Sequence, residues 1–399
     1  MELTNKQIQG LKISIERYKN REPYTCISGY AGSGKTTLIN FIIAALKLHP
    51  DNVAYVAYTG KAATVLKQKG CSNAVTAHKL LYYAKQLSSG KFTYKPRKRL
   101  EGNYRLIVVD EVSMLPKTLW ELLLSHRIPV IACGDPGQLP PIDKNEDNHV
   151  LDNPHVFLDE IMRQAQDSEI IRLSIHIREG KPISTFQSLG EQVKIVKPKD
   201  VVSGMYDWAD QVLCATNEKR NMINRFVRED KEFGYKPCIG DKIISLHNHW
   251  EFYSGMGNWT LTNGCIGTIS DFRTETISVP KSVKETGYLD YMITDVEIDG
   301  DKFFDIPIDY YQLISGESSL TPKQQYTMRN NPTIGIEPPY DFAYAYAITV
   351  WKAQGSEWKK VMAYEEGHPF DKKEHISITA MIAAFITTVS TGCIIAIIF

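Results

Sequence analysis

The sequence predicts an α/β protein with parallel sheets and a small β-barrel inserted in its second half. Strand and helix patterns alternate over the first 165 residues, and they alternate again from about residue 170 and after residue 344. Such alternation is typical of parallel sheets with crossover helices. Between about residues 237 and 335 the segments are short and are separated by Gly, Asn and Asp, which favours a small β-barrel.

Composition restricts the possible classes of protein. The 399 residues are 43% hydrophobic and carry 46 basic and 46 acidic side chains, which fits two to three globular domains and excludes a disordered or collagen-like chain. Zero net charge argues against coating nucleic acid through bulk basicity but allows a local basic groove. The seven cysteines are scattered without a CxxC pair, which excludes a zinc ribbon and indicates a reducing compartment. Because the first residues lack a secretory signal pattern, we expect a cytoplasmic protein.

Individual elements follow from the pattern of apolar residues. In the first block we expect helices over 3–18 and about 35–48, and strands over 24–28, 53–58, 106–110 and 130–133. In the second block we expect strands over 193–196 and 211–215 and a helix over 218–229. The segments KIISL, GCIGTIS, YMITDVEI and FFDIPI supply the barrel strands.

Residues 29–36 read GYAGSGKT and match the phosphate-binding pattern G-x-x-x-x-G-K-[ST]. The glycines let backbone N–H groups close around phosphates, Lys35 reaches the β- and γ-phosphates, and Thr36 offers a hydroxyl to Mg²⁺. A chance match has a probability of about one per cent in such a chain, and the predicted strand before the motif and helix after it give the required context. The predicted ATP-binding residues here are Gly32, Ser33, Gly34, Lys35, Thr36 and Thr37.

Two further strands end in polar residues that suit nucleotide chemistry. The apolar run LIVV ends in Asp110 and Glu111. The first carboxylate can hold hydrated Mg²⁺ and the second can polarise the attacking water, although such a pair can also merely begin a loop or cap a helix. Gln138 follows the run VIAC within GDPGQLPP. It can sense the γ-phosphate, although that segment alone reads as an ordinary Pro/Gly turn.

These three motifs, in this order, resemble those of the superfamily 1 DNA helicases. The residues of the remaining motifs resemble the 5′-to-3′ RecD-like and Dda-like branch of that superfamily. The resemblance runs from residue 3 to about residue 358. It implies two RecA-like P-loop motor domains, with a small insertion in the first and an SH3-like barrel in the second. It also implies ATP and Mg²⁺ as cofactors and single-stranded and fork DNA as partners, with RNA as an open alternative.

The resemblance assigns further residues to the nucleotide. Gln7 in LTNKQ matches the adenine reader, and the alternative is a surface Gln on the first helix. Arg163 in EIMRQ matches the arginine that crosses a cleft to the γ-phosphate, and the alternative is a surface ion pair. Gly355 and Glu357 lie in the motif V segment TVWKAQGSEW, with Glu357 facing the ribose. The predicted catalytic residues are Lys35, Glu111, Gln138 and Arg163.

The same resemblance predicts DNA contacts in three short segments. They are Thr59 and Lys61, Thr76 and His78, and Thr349, Trp351 and Lys352. A lone histidine such as His78 is more often structural. Trp351 stands where relatives often carry His, and it either stacks on a base or is buried.

Residues 85–99, KQLSSGKFTYKPRKR, hold six basic residues and no acidic one, with two aromatic residues between them. Basic side chains follow phosphates and aromatic rings stack on bases. In the family this position carries a small insertion with a hairpin that splits the duplex. The predicted DNA contacts are therefore Phe92, Tyr94, Lys95, Arg97 and Lys98, and the alternative is a solvated basic loop.

The chain departs from the family in its apolar tail. Residues 376–399 contain no Asp, Glu, Lys, Arg or Pro and are numerous enough to cross a bilayer as a helix. Their Ile, Val and Thr content favours a buried strand–helix end instead, and a divergent or frame-shifted tail is a third alternative. Thr391 stands where the family's last motif has an arginine on the γ-phosphate, a loss that could reduce turnover by about 10³-fold or more.

We therefore expect a first motor domain over 1–165 with a basic insertion at about 82–103. A second motor domain is expected over 166–236 and 336–399, interrupted by the barrel over 237–335. The expected function is an ATP-dependent DNA helicase that moves 5′ to 3′ on single-stranded DNA as a monomer, with no membrane partner unless the tail spans a bilayer. The alternative is an ATP-gated single-stranded-DNA-binding protein with impaired hydrolysis.

Overall fold

The structure is a computed structural model that describes residues 3–30, 32–86, 92–138, 141, 144–159, 168–179, 181–247, 249–255, 260–298, 300–330, 338–353, 356, 358–365 and 394–398. The chain groups into two compact units. The first contains Met1–Tyr83, Lys95–Thr216 and Thr349–Phe399, and the second contains Ala84–Tyr94 and Asn217–Ile348. None of the helices within the described ranges is long and apolar enough to cross a membrane.

The helices and strands are numbered here in chain order. The described helices are α1 (Asn5–Lys19), α2 (Lys35–Ala45), α3 (Gly60–Gln68), α4 (Ala77–Leu81), α5 (Lys117–Ser125), α6 (Glu169–Arg178), α7 (Gly204–Trp208), α8 (Asn217–Asp230), α9 (Tyr310–Ser315), α10 (Pro322–Asn330) and α11 (Val350–Ala353). The described strands are β1 (Tyr24–Gly29), β2 (Val53–Ala57), β3 (Val75–Thr76), β4 (Tyr82–Gln86), β5 (Phe92–Pro96), β6 (Leu106–Val109), β7 (Val130–Gly134), β8 (Val156–Leu158), β9 (Val193–Val196), β10 (Gln211–Cys214), β11 (Lys242–Ser245), β12 (His249–Tyr253), β13 (Thr260–Leu261), β14 (Ile266–Ser278), β15 (Tyr288–Ile298), β16 (Asp301–Ile308), β17 (Phe342–Tyr344), β18 (Ala347–Thr349), β19 (Lys360–Tyr364) and β20 (Ile394–Ile398). The helices and strands predicted in the two alternating blocks are all present, with ends shifted by at most three residues.

The first unit contains a six-stranded sheet in the order β3-β2-β6-β7-β1-β8, in which every pair is parallel. β7 lies between β1 and β6, because Val130 is the register partner of both Tyr24 and Ile107. Parallel strands all end at the same edge of their sheet. The loops that follow β1, β6 and β7 therefore come together at this edge.

Apolar side chains cover both faces of this sheet. On one face Leu38 and Ile42 of α2 are completely buried, and on the other face Leu123 of α5 is completely buried. Helix α1 approaches β8 so closely that a Cβ atom on Gly10 would lie 2.7 Å from a methyl carbon of Val156. Burial on both faces explains why these strands are continuous apolar runs in the sequence.

A second parallel sheet lies in the first unit, where β10, β19, β20 and β9 are neighbours in that order. Ile395, Ile397 and Ile398 of β20 are almost completely buried between β19 and β9. The end of the apolar tail is therefore a buried central strand, as the buried alternative expected. Residues 366–393, which include Thr391, lie outside the described residues, and the missing-arginine interpretation stays a prediction.

The second unit contains an antiparallel sheet in the order β16-β15-β14-β11-β17. Its core is formed by buried side chains that include Ile269, Met292, Val296, Phe303 and Phe342. The four segments predicted as barrel strands all form strands of this sheet. Two parallel sheets together with this one confirm the α/β class, while closure into an SH3-like barrel and the domain boundaries stay predictions. Helix α8, expected in the second motor domain, groups with this unit.

Helix α8 is joined to the antiparallel sheet by a buried ion pair. The Nε and Nη2 atoms of Arg228 donate to the two carboxylate oxygens of Asp241, at 2.8 and 3.0 Å, and the two side chains are 6% and 0% exposed. Arg228 also donates to the carbonyls of Gly234 and Lys236, and its guanidinium carbon lies 4.2 Å from the centre of the Tyr344 ring. The pair is thus fully hydrogen-bonded, which is the condition under which buried charges are stable.

We expect Asp241→Asn to lower the free energy of unfolding by about 3–5 kcal/mol, because it leaves the Arg228 charge buried without its partner. Denaturant unfolding followed by circular dichroism measures the change. Arg273→Met is the matched control, because Arg273 pairs with Glu275 and Asp305 at 2.8 and 2.9 Å but is 60% exposed. Losing such an exposed pair should cost at most about 1 kcal/mol. Similar small losses in both variants would contradict a stabilising role for the buried pair.

Candidate nucleotide-binding site

The loop between β1 and α2 has the backbone that phosphate binding requires. Gly32 and Gly34 have φ angles of 70° and 80°, in the left-handed region that favours glycine. Left-handed residues just before a helix turn successive N–H groups toward a common point, and the N-terminus of α2 adds its own free N–H groups. The local sequence GSGK therefore builds an anion-binding concavity at the end of β1.

Lys35 lies inside this loop. Its Nζ donates to the carbonyl oxygens of Gly29, at 2.7 Å, and Tyr30, at 2.9 Å. These bonds hold the ammonium at the mouth of the strand. On the same first turn of α2, Thr36 is exposed and Thr37 is half-buried.

Gln7, predicted to read adenine, is 1% exposed and ties the loop to helix α1. Its Oε1 accepts from the backbone N–H of Thr4 at 3.0 Å, and its own N–H donates to Thr4 Oγ1 at 3.3 Å, which together form a capping box. Its Nε2 donates to the carbonyl of Ser33 at 3.2 Å. The T-x-x-Q spacing was the sequence signal for this capping role, and adenine reading stays a prediction.

Asp110 and Glu111 follow β6. Burial raises the pKa of Asp110, and the charges of Lys35 and Lys69 and the N–H of Glu111 oppose that rise. This N–H donates to Asp110 Oδ1 at 3.0 Å. Glu111 has a φ of 50°, which bends the chain sharply and costs about 1–3 kcal/mol for a residue other than glycine. Strain of this kind is typical of functional sites, so the pair suits the predicted Mg²⁺ and water roles.

The turn after β7 fixes Gln138 at the same edge. The N–H of Gln138 donates to the Asp135 carbonyl at 2.9 Å, and Asp135 Oδ1 accepts from the N–H of Gly137 at 2.9 Å. The Oε1 of Gln138 accepts from Ser113 Oγ at 3.3 Å. Sequence analysis did not single out Ser113, whose only signal is its place two residues after Glu111.

The segments that follow β1, β6 and β7 meet around one point. Cys133 is the fourth residue of β7, between the other two strands. Burial and the charge of Asp110 raise the pKa of its thiol, whereas Lys35 lowers it. Both charged groups therefore act on β7, and Gln138 lies just beyond it. The structure thus brings together Lys35, Asp110, Glu111 and Gln138 at one edge of the sheet, and their individual roles stay predictions.

Of the remaining predicted residues, three nucleotide contacts lie outside the described residues, and three DNA contacts are buried or half-buried. Arg163, Gly355 and Glu357 lie outside the described residues. Thr349, at the end of β18, is 8% exposed, and Trp351 and Lys352 of α11 are half-buried. Their roles stay predictions.

Thr59 and Thr76, predicted to contact DNA, each cap a helix. Thr59 Oγ1 accepts from the N–H of Ala62 at 3.1 Å at the start of α3, and Thr76 Oγ1 accepts from the N–H of Lys79 at 3.2 Å at the start of α4. Both hydroxyls therefore stabilise helix N-termini that follow strands β2 and β3. The side chain of Lys61 lies outside what the structure describes.

His78 packs between two tyrosines that sequence analysis did not single out. Its ring centre lies 6.1 Å from that of Tyr58 and 6.0 Å from that of Tyr82, and the second pair is stacked at 29°. Partial burial of the ring lowers the pKa of His78, which favours the neutral imidazole. Tyr58 directly precedes Thr59, and Tyr82 is the first residue of β4, directly after the end of α4.

The predicted insertion contains a hairpin, because β4 and β5 pair as a two-stranded sheet. Arg97, a predicted DNA contact, holds the base of this hairpin. Its N–H donates to the Leu81 carbonyl at 2.7 Å, its Nε donates to the Tyr82 carbonyl at 3.0 Å, and its guanidinium pairs with Glu101. The exposed basic residues beside it are Lys95, Lys98 and Arg99. The side chains of Phe92 and Tyr94, also predicted DNA contacts, lie outside what the structure describes.

Comparisons with known proteins found a family model and two helicases that are similar to parts of this chain. Residues 11–199 match a family model described as an AAA domain. The chain is 28% identical to the ATP-dependent DNA helicase dda of Enterobacteria phage T4 over 272 residues, which make up 61% of this chain and 61% of that protein. It is 29% identical to the ATP-dependent DNA helicase PIF1 of Candida albicans over 239 residues, or 49% of this chain and 26% of that protein. The chain thus spans less than two thirds of the length of these relatives.

One solved structure shares the fold over nearly the whole chain. It is the crystal structure of a Pif1 helicase from Bacteroides in complex with ADP-AlF3 and ssDNA, with a TM-score of 0.52 and 17% identity. The match covers 99% of this chain and 92% of that chain. At this identity the likeness shows the fold and not the activity.

Proposed function

We propose, from the similarity of this chain to DNA helicases of the Dda and PIF1 kind, that it is an ATP-dependent DNA helicase of superfamily 1. It would move 5′ to 3′ along single-stranded DNA and unwind duplex by hydrolysing ATP. The observation that carries the proposal is the meeting of Lys35, Asp110, Glu111 and Gln138 beyond three adjacent strands. Because the chain spans only part of its curated relatives, the activity is a proposal for this chain.

ATP and Mg²⁺ fit the residues at this edge. The left-handed Gly32 and Gly34 and the first turn of α2 present N–H groups to phosphates, with the Lys35 ammonium among them. The Thr36 hydroxyl and the Asp110 carboxylate are oxygen ligands of the kind that Mg²⁺ prefers. When bound, Mg²⁺ supplies positive charge to the β- and γ-phosphates.

Each of the side chains at this edge has a separate role in ATP hydrolysis. Lys35 holds the phosphates and opposes their negative charge, and Glu111 accepts a proton from the attacking water. Gln138 donates to the γ-phosphate and so distinguishes the triphosphate from the diphosphate. Arg163 would add a second positive charge that stabilises the negative charge developing on the γ-phosphate.

DNA is the proposed partner of the basic hairpin and of the segments around Thr59 and His78. The exposed Lys95 and Lys98 suit phosphates, and the stacked rings of His78 and Tyr82 suit bases. RNA offers the same phosphates and π-faces, so single-stranded RNA belongs in the same experiment.

The proposal is tested by ATP hydrolysis with and without single-stranded DNA or RNA, and by unwinding of duplexes that carry only a 5′ or only a 3′ tail. We expect hydrolysis to rise with single-stranded DNA and unwinding to require the 5′ tail. Hydrolysis that ignores nucleic acid, together with no unwinding of either duplex, would reject the helicase proposal.

Removing the aromatic residues of the hairpin should separate unwinding from hydrolysis. In the double variant Phe92→Ala with Tyr94→Ala we expect unwinding to fall by about tenfold or more, because a stacked base contributes ~1–3 kcal/mol. DNA-stimulated hydrolysis should change little, since a wedge acts on the fork and not on the nucleotide. Tyr326→Ala removes a tyrosine that is 63% exposed in the second unit and serves as the control. Unchanged unwinding in the double variant would return the segment to a solvated basic loop.

A further inference from the structure

We infer that Ser113 is a positioning residue that orients the Gln138 amide so that its N–H groups face the γ-phosphate. The inference rests on the proposed role of Gln138 in the nucleotide site. It adds a specific link between the turn after β6, which carries Asp110 and Glu111, and the turn after β7.

The hydrogen bond from Ser113 decides which end of the amide is free. Ser113 Oγ donates to Gln138 Oε1 at 3.3 Å, and Ser113 is 8% exposed. Among the described residues, no hydrogen bond engages the Nε2 of Gln138. The carbonyl end of the amide is therefore occupied and its two N–H donors remain for a ligand. The opposite orientation would point a carbonyl oxygen at a phosphate oxygen, which is repulsive.

The backbone around Ser113 is held on both sides by one side chain. Residues Val112–Met114 form a single 3-10 turn directly after the left-handed Glu111. Asn148 Nδ2 donates to the carbonyl of Val112 at 2.7 Å and to that of Leu115 at 2.6 Å. A hydroxyl on such a clamped turn has a fixed position, which is what an orienting group requires.

The segment that supplies Asn148 is itself hydrogen-bonded to helix α5. Glu146 Oε2 accepts from the N–H and the Oγ1 of Thr118, at 3.0 and 2.9 Å, in the first turn of α5. At the end of β7, a Cβ atom on Gly134 would lie 3.2 Å from a methyl carbon of Val112, so strand and turn are in close contact. The turns after β6 and β7 are therefore linked at several points, and Ser113 to Gln138 is the link that reaches the nucleotide side.

The experiment is an equilibrium titration of the full chain with Mg²⁺ and either ADP or a non-hydrolysable ATP analogue. The readout is the ratio of the two Kd values, which measures recognition of the γ-phosphate without turnover. We expect Ser113→Ala to reduce the preference for the triphosphate by about three- to tenfold, the effect of one hydrogen bond. Gln138→Ala should reduce it at least as much. The double variant should match Gln138→Ala alone, because the serine acts through the glutamine.

Two further variants separate positioning from a general structural effect. Ser113→Thr keeps the hydroxyl and should restore the parental ratio, whereas a general loss of structure would weaken both nucleotides alike and leave the ratio unchanged. Ser125→Ala is the matched control, because the Ser125 hydroxyl donates to the Leu122 carbonyl three residues earlier, at the exposed end of α5.

An unchanged ratio in Ser113→Ala overturns the inference, and so does a double variant whose loss is the product of the two single losses. The proposed helicase activity fails through a different measurement, the response of the parental chain to single-stranded DNA. A parental chain that binds neither nucleotide overturns both.

Discussion

Lys35→Ala is expected to lower the rate of ATP hydrolysis by about 10³-fold or more and to weaken ATP binding, because a single preorganised charge on the phosphates is removed. The Nζ of Lys35 is held by the carbonyls of Gly29 and Tyr30, at the point where the phosphates would lie. The alanine also cannot donate to these two carbonyls, because it has no ammonium group. Steady-state hydrolysis with saturating single-stranded DNA and a nucleotide titration measure the two effects.

The control for this variant is Lys12→Ala on the exposed face of α1, which removes an equal charge away from the site. It should hydrolyse ATP at the parental rate. A Lys35→Ala variant that behaves like Lys12→Ala would show that the loop after β1 does not serve hydrolysis.

Glu111→Gln should leave ATP bound but not hydrolysed. The amide cannot take a proton from water, and loss of a general base lowers turnover by about 10²–10⁴-fold. The backbone turn at Glu111, with its φ of 50°, and the neighbouring Asp110 carboxylate stay in place, so nucleotide affinity should change little. Rapid mixing with labelled ATP, followed by filtration and analysis of the bound nucleotide, distinguishes trapped ATP from ADP.

Glu121→Gln on the exposed face of α5 is the isosteric control and should turn over normally. If Glu111→Gln instead loses ATP affinity as Lys35→Ala does, then Glu111 binds the nucleotide or its metal rather than the attacking water. Hydrolysis at the parental rate would remove Glu111 from the mechanism.

Local patterns were enough to predict the elements and the motif-bearing loops. The loop over 29–36 could be predicted because its glycine and lysine positions are set by backbone conformation over a few residues, which Gly32 and Gly34 then adopt. Strands such as LIVV could be predicted because burial on both faces demands a continuous apolar run. The barrel segments could be predicted as strands because their alternation and turn residues act over short distances.

Contacts between residues far apart in the chain could not be read from such patterns. Asn148 Nδ2 donates to the carbonyls of Val112 and Leu115, 36 and 33 residues earlier in the chain, and no local pattern in either segment indicates these bonds. Arg97 Nε donates to the carbonyl of Tyr82, 15 residues earlier at the hairpin base, and its DNA contact stays a prediction. Each outcome depends on which backbone group lies within hydrogen-bonding distance, and tertiary packing decides this.

The sequence by itself determined that this protein has the pattern of a phosphate-binding loop, one strand that ends in two acidic residues, another strand followed by a glutamine, and parallel sheets. Only the tertiary structure decided that β7 lies between β1 and β6, which brings the turn of Gln138 next to the turn that follows Asp110, and that Ser113 bonds to Gln138. It also decided the fate of the apolar tail, whose last residues form β20 between β19 and β9. The physical reason is that an apolar segment is stabilised by removal from water whether it enters a membrane, a helix or a strand. Which of these forms depends on the backbone hydrogen bonds available to the segment, and here neighbouring strands provide them.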